Sequence, residues 1–126
     1  MTNGIFITVR TNSTRLPQKA LINLSNGLNT IEYLIERVKN SRKADNIILC
    51  TTKKSEDDIL VDIAINNNID LIVWPESSIS SYVLQGNDYY LKWIQGKLND
   101  IKLISGIPYY SGEKPERRFY NSAVLI

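Results

Sequence analysis

The sequence predicts an α/β fold, a Rossmann-like three-layer arrangement around a mostly parallel sheet. Three β-branched-rich runs of strand length, Ile5 to Val9, Asn46 to Thr51 and Ile69 to Val73, recur along the first half of the chain. The two segments between them carry apolar residues at helical spacing. The resulting order of β, long loop, α, β, α, β calls for right-handed crossovers, hence parallel strands with helices on both faces. A chain of 126 residues has room for one ordinary core, so residues 1–126 are read as a single domain.

The first strand, I-F-I-T-V, follows Gly4 and gives way at once to a polar, proline-containing segment. Ala20 to Leu24 is expected as a short extended piece ahead of the turn Ser25-Asn26-Gly27, in which Asn26 or Gly27 takes positive φ. The first helix is predicted over Asn29 to Ser41. Asn29 is its N-cap, Glu32 completes a capping box, and Ile31, Leu34, Ile35 and Val38 form the apolar face. The second helix is expected to start with Ser55 as N-cap and Asp58 at the third helical position, with Ile59, Leu60, Ile63 and Ala64 inward. Asn66-Asn67-Asn68 then ends it before the third strand.

Beyond Trp74 the pattern weakens. Pro75 to Asn87 is serine-rich with few periodic positions. Asp88 to Asn99 reads as a short helix with Tyr90, Leu91, Ile94 and Leu98 inward. Ile101 to Ile104 reads as a strand, Gly106 to Pro115 as turn-rich, and Phe119 to Ile126 as a strand without a polar cap, the mark of a truncated domain or of an edge strand needing a cover. The domain accordingly divides into a βαβαβ half, residues 1–74, and a divergent part, residues 75–126.

Composition narrows the chemistry. The apolar fraction of 43% and charged fraction of 22% are those of a globular protein, and a net charge of +2 does not by itself imply a nucleic-acid or membrane partner. The charge is unevenly spread. Arg10 to Lys54 holds nine basic and three acidic residues, against six basic and ten acidic from Ser55 onward, so the N-terminal half suits an anionic ligand. Four of the nine, Arg37 to Lys43, also read simply as a solvated helix face. With no histidine, Ser-His and Cys-His nucleophiles and histidine-bound metals are excluded. Cys50 alone forms no internal disulfide and reads as a buried small hydrophobe, in keeping with a cytoplasmic protein. No apolar run approaches the ~18 residues of a membrane span, and no signal peptide is recognisable.

The loop from Arg10 to Leu21, R-T-N-S-T-R-L-P-Q-K-A-L, delivers Arg10, Arg15 and Lys19 within ten residues, interleaved with the hydroxyls of Ser13 and Thr14. Cations neutralise a triphosphate while hydroxyls and turn N–H groups bond its oxygens. Phosphoryl and nucleotidyl transfer need positioning and charge stabilisation rather than a protein nucleophile. On spacing alone the same loop reads equally well as a polar surface loop. In an open α/β sheet the loops leaving the strand tips at Arg10 and Thr51 converge on the ligand crevice.

V-R-x-x-S-T-R-L-P-x-K directly after the first strand resembles the signature loop of the cytidylyltransferase family, which includes acylneuraminate and 3-deoxy-manno-octulosonate cytidylyltransferases. In pattern it is most similar to spore coat polysaccharide biosynthesis F-type proteins. I-E-Y-L-I-E-R-V-K and I-I-L-C-T-T-K-K-S-E-D-D-I resemble the family's first helix and second strand with its loop, so the match runs from about Ile5 to about Val73. The resemblance implies a nucleotidyltransferase that activates a sugar acceptor with CTP, or another nucleoside triphosphate, for surface polysaccharide biosynthesis. It makes Arg10 and Lys19 the catalytic cations that hold the triphosphate. Val9, Ser13, Thr14 and Arg15 line the nucleotide-binding loop, and Thr51 and Thr52 lie near the nucleoside.

Val9 stands where the family usually has Ala, and Gln18 where it usually has Gly; Asn12 is available for a left-handed turn. The family also implies Mg²⁺, but Glu76, Asp88, Asp100, Glu113 and Glu116 are the only acidic candidates in the later region, and none has the context of its metal ligand. W-P-E-S-S-I-S-S-Y replaces the family's turn and acidic helix after the third strand. A shortened or rearranged member is therefore expected. The competing reading is a non-catalytic nucleotide-binding module or partner subunit, with Tyr109, Tyr110, Phe119 and Tyr120 completing its fold on another chain as a homodimer.

Overall fold

A computed structural model describes residues 2–76, 78–86, 88–98 and 100–126 of the chain. Asn87 and Asn99, the expected ends of the serine-rich segment and of the third helix, and Ser77 within W-P-E-S-S lie outside the described residues. Five strands form one sheet in sequence order: β1 (Gly4–Thr8), β2 (Asn46–Cys50), β3 (Leu71–Val73), β4 (Lys102–Ser111) and β5 (Arg118–Leu125). The first four are parallel, and β5 returns antiparallel along β4. Three helices, α1 (Thr30–Lys39), α2 (Asp58–Asn66) and α3 (Tyr89–Leu98), make the crossovers between the parallel strands. The α/β class and the mostly parallel sheet are those expected.

Right-handed crossovers that always step the same way put every helix on the same side of the sheet. The buried residues follow this rule. Ile7, Leu49, Ile72, Leu103 and Ile107 point to one face and join Ile31 and Ile35 of α1, Leu60, Ile63 and Ala64 of α2, and Ile94 and Leu98 of α3 in one core. Strand residues of the other parity, Phe6, Ile48, Leu71, Val73, Ile104 and Leu125, stay outside that core, Ile48 alone among these six being buried. Phe6 is 65% exposed. Helices on both faces were expected; among the described residues the three-layer plan is represented by two layers, because no strand reverses the stepping direction.

Local chemistry explains most element boundaries. At the start of α1 the Asn29 side chain accepts from the Glu32 N–H and the Glu32 carboxylate accepts from the Asn29 N–H, both at 2.9 Å, closing the predicted capping box. Leu34, expected inward, is exposed, and it lines an open hollow with Ile7, Leu16, Ala20, Ile22 and Ile31. Gly27 takes the positive φ of the preceding turn, at 83°. α2 ends in a Schellman motif: Asn68 is left-handed at φ 50°, its N–H donates to Ile65 O, and the Ile69 N–H donates to Ala64 O.

Three further expectations change. Ala20 to Leu24 is not an extended run: Lys19–Leu21 forms a 3-10 turn, and only Asn23 bridges to Asn29. Ser55 does not cap α2, since Ser55–Asp57 is itself a 3-10 turn without a side-chain cap, and Ile59 points outward. Gly106 to Ser111 is strand rather than turn, because Leu103, Ser105 and Ile107 continue the inward alternation and β5 supplies a partner. Pro108 is tolerated there because β3 pairs only as far as Ile104, so its missing N–H costs no bond to that neighbour.

Candidate functional site

The carboxyl ends of β1, β2 and β3 lie side by side, and the loops leaving them enclose a cavity of about 520 Å³. Its lining comprises Thr8, Val9 and Arg10 at the tip of β1, Ser13 and Lys19 from the following loop, Cys50, Thr51 and Thr52 at the tip of β2, and Val73 and Pro75 after β3. That volume falls in the ~300–1,000 Å³ range typical of small-molecule sites. The strand tips are tied to each other by backbone bonds, Val9 N–H to Cys50 O at 2.9 Å and Thr51 N–H to Val73 O at 3.0 Å. The cavity floor is therefore an extension of the sheet.

Six of the eight expected nucleotide-binding residues, Val9, Arg10, Ser13, Lys19, Thr51 and Thr52, line this one cavity. Thr14 and Arg15 do not line it, and both are exposed. Arg10 and Lys19, nine positions apart in sequence, face the same hollow because the intervening loop folds back on itself. The Gln18 N–H donates to Thr11 O at 2.9 Å, and Gln18 takes the left-handed backbone at φ 53° and ψ 22°. The left-handed residue is thus Gln18 and not Asn12, at the position where the signature loop usually carries glycine.

Electrostatically the lining is one-sided. It holds two cations, three hydroxyl-bearing threonines and one serine, with no carboxylate among the lining residues. Thr51 is only 4% exposed, and its Oγ1 has no hydrogen-bond partner among the described residues. Burial pushes the Cys50 thiol above its ordinary range, and the Thr8 hydroxyl partly offsets this.

A further residue, whose role no motif in the sequence marks, ties the site together. Asp57 is 1% exposed and bridges the two loops: it accepts from the Thr11 N–H at 2.7 Å, from the Thr11 hydroxyl at 2.6 Å, and from the Thr52 hydroxyl. Burial raises its carboxyl, but these hydrogen bonds and the nearby Lys54 outweigh that and hold it below the usual carboxylate range. In sequence it reads as one of three acidic residues favouring a helix dipole. Its pairing with hydroxyls from both loops exists only after folding, Thr11 lying 46 positions away.

Among the described residues the cavity lining offers no carboxylate that could hold Mg²⁺. No three of His, Cys, Asp and Glu converge among the described residues, and both Asp57 oxygens are already occupied by hydroxyl and amide donors. Of the acidic candidates, Asp88 pairs with Lys92 at 2.7 Å, Glu76 accepts from Asn121 at 2.9 Å, and Asp100, Glu113 and Glu116 are exposed. No described helix is long and apolar enough to cross a membrane.

Residues 5–76 match the cytidylyltransferase family, a span that contains every residue of the cavity lining. The chain belongs to the cytidylyltransferase family. This cytidylyltransferase-family chain is also similar to an uncharacterized protein of Methanocaldococcus jannaschii, with 32% identity over 84 residues. That match covers 67% of the present chain and 34% of the relative, so the chain matches about a third of the relative's length. No solved structure matches the chain.

Proposed function

We propose that this chain binds a nucleoside triphosphate, CTP, in the cavity at the strand tips and transfers its cytidylyl group to a sugar for surface polysaccharide biosynthesis. The observation that carries the reading is the convergence of Arg10, Ser13 and Lys19 with Thr51 and Thr52 around one hollow inside the family-matching span. In the reaction an acceptor oxygen of a sugar acid or sugar phosphate attacks the α-phosphorus. A new P–O bond forms as the bond from that phosphorus to the bridging oxygen breaks. Pyrophosphate leaves with the electron pair, and any acceptor proton passes to solvent. Arg10 and Lys19 stabilise the charge gathering on the leaving group. Ser13 bonds phosphoryl oxygens, while Thr51 and Thr52 meet the nucleoside.

Calorimetric titration with CTP, alongside ATP, tests binding and base preference. Pyrophosphate release with candidate sugars tests turnover. A second reading, a nucleotide-binding module or partner subunit without turnover, draws on the cavity lining, which offers cations and hydroxyls but no carboxylate. CTP binding without pyrophosphate release from any sugar, together with a dimer in sedimentation, favours it. Absence of binding by either nucleotide overturns both.

A further inference from the structure

Within the nucleotide-binding reading above, on which this step rests, we infer that Asp57 is a positioning residue that sets the anion-binding loop. It does not line the cavity and acts through Thr11 and Thr52.

A buried carboxylate without a cationic partner is costly unless several donors satisfy it. No salt bridge to Asp57 exists among the described residues; its charge is met by one amide and two hydroxyls, with Lys54 contributing only at longer range. Those donors come from the two loops that wall the cavity, Thr11 being 46 positions away in sequence. Thr11 is the hub of the first loop. It is held by Asp57 on one side, and its carbonyl receives the Gln18 N–H on the other. Arg10 immediately precedes Thr11, and Lys19 immediately follows Gln18. Both cations therefore hang from residues fixed, directly or through one bond, to the Asp57 carboxylate. Its second oxygen holds Thr52, on the opposite wall.

This arrangement separates geometry from charge. An asparagine at position 57 keeps a carbonyl acceptor for Thr11 and presents an NH₂ to the Thr52 hydroxyl oxygen, so it can hold the same span. Alanine releases both loops.

The experiment compares wild type, Asp57→Ala and Asp57→Asn by calorimetry with CTP and with inorganic tripolyphosphate, well below each variant's Tm, and by amide hydrogen exchange at Thr11 and Gln18. Asp57→Ala is expected to lose about tenfold or more in affinity for both ligands and to lose protection at both amides together, as expected when a charged hydrogen-bonded anchor is removed. Asp57→Asn is expected to stay within about threefold of wild type, its hydrogen bonds being retained. A purely structural residue would lower Tm and leave both affinities intact, and that result overturns the inference. Should Asp57→Ala fail to fold, Thr11→Val removes one hydroxyl donor and is expected to weaken tripolyphosphate binding in the same direction. An unchanged affinity there also overturns it. If wild type binds neither ligand, the nucleotide reading fails. The positioning role is then judged by the exchange data alone, where independent behaviour of Thr11 and Gln18 rejects it and joint loss of protection upholds it.

Discussion

The Gln18 amide donates to the Thr11 carbonyl at 2.9 Å from a left-handed backbone, φ 53°, that a residue with a Cβ adopts at a cost. This bond brings the ends of the loop together and so sets Arg10 and Lys19 on the rim of one cavity.

Left-handed backbone costs an L-residue roughly 1–2 kcal/mol, whereas glycine escapes that cost but has more unfolded-state freedom to lose. Gln18→Gly is therefore expected to be neutral or to stabilise by about 0.5 kcal/mol in urea denaturation. Gln18→Val, β-branched in the same backbone, should destabilise by about 1–2 kcal/mol. Equal effects from the two substitutions would contradict the left-handed turn.

Loop cations differ in placement, and affinity should follow placement. Arg10→Ala and Lys19→Ala are each expected to weaken CTP binding by about tenfold or more, the scale of one charge-assisted hydrogen bond. Arg15 is exposed and outside the lining, so Arg15→Ala should cost less than about threefold, the scale of a screened long-range charge. Titration of the three variants at one salt concentration ranks them; Arg15 as the most damaging would show that the loop closes differently on the ligand.

Asp57 links stability to pH. Its folded-state pKa lies below its unfolded value, so the folded state favours the carboxylate, and that stabilisation is present above the unfolded value of about 4. It is lost as pH falls through the folded value. Urea unfolding of wild type and Asp57→Asn at pH 7, 4.5 and 3 should show wild type losing more stability across the acid range than the variant. Parallel pH curves would show that Asp57 contributes nothing to acid sensitivity.

One-sided packing has a measurable signature in the sheet. Leu49 is wholly buried beneath the helices, and Leu49→Ala is expected to cost about 2–5 kcal/mol. Phe6, on the helix-free face, is 65% exposed. Phe6→Ala should cost less than about 1 kcal/mol despite removing the larger side chain, because little of it leaves water on folding. Comparable losses in chemical denaturation would mean that something covers the second face.

Local signals served the N-terminal half well. The Asn29 and Glu32 capping box, the asparagine stop at Asn68 and the β-branched-rich runs of β1 and β2 each depend on neighbours a few residues apart, so residue type and spacing suffice to read them. They failed where a residue answered to a distant partner. Ser55 and Asp58 have the spacing of a capping box, yet Asp57 between them turns to Thr11 and Thr52, and the first turn tightens to 3-10. Gly106 to Ser111 carries turn-forming residues, yet pairing with β5 draws it into a strand.

By itself the sequence determined the α/β alternation, the cationic loop at the first strand tip and the family to which that loop belongs, because short-range periodicity and the order of residue types encode them. Tertiary structure alone decided that β4 continues the sheet beside β3, leaving one face without helices, and that a buried carboxylate fastens the two loops. Both depend on contacts between residues tens of positions apart, whose free energy appears only when the strands have been brought into register.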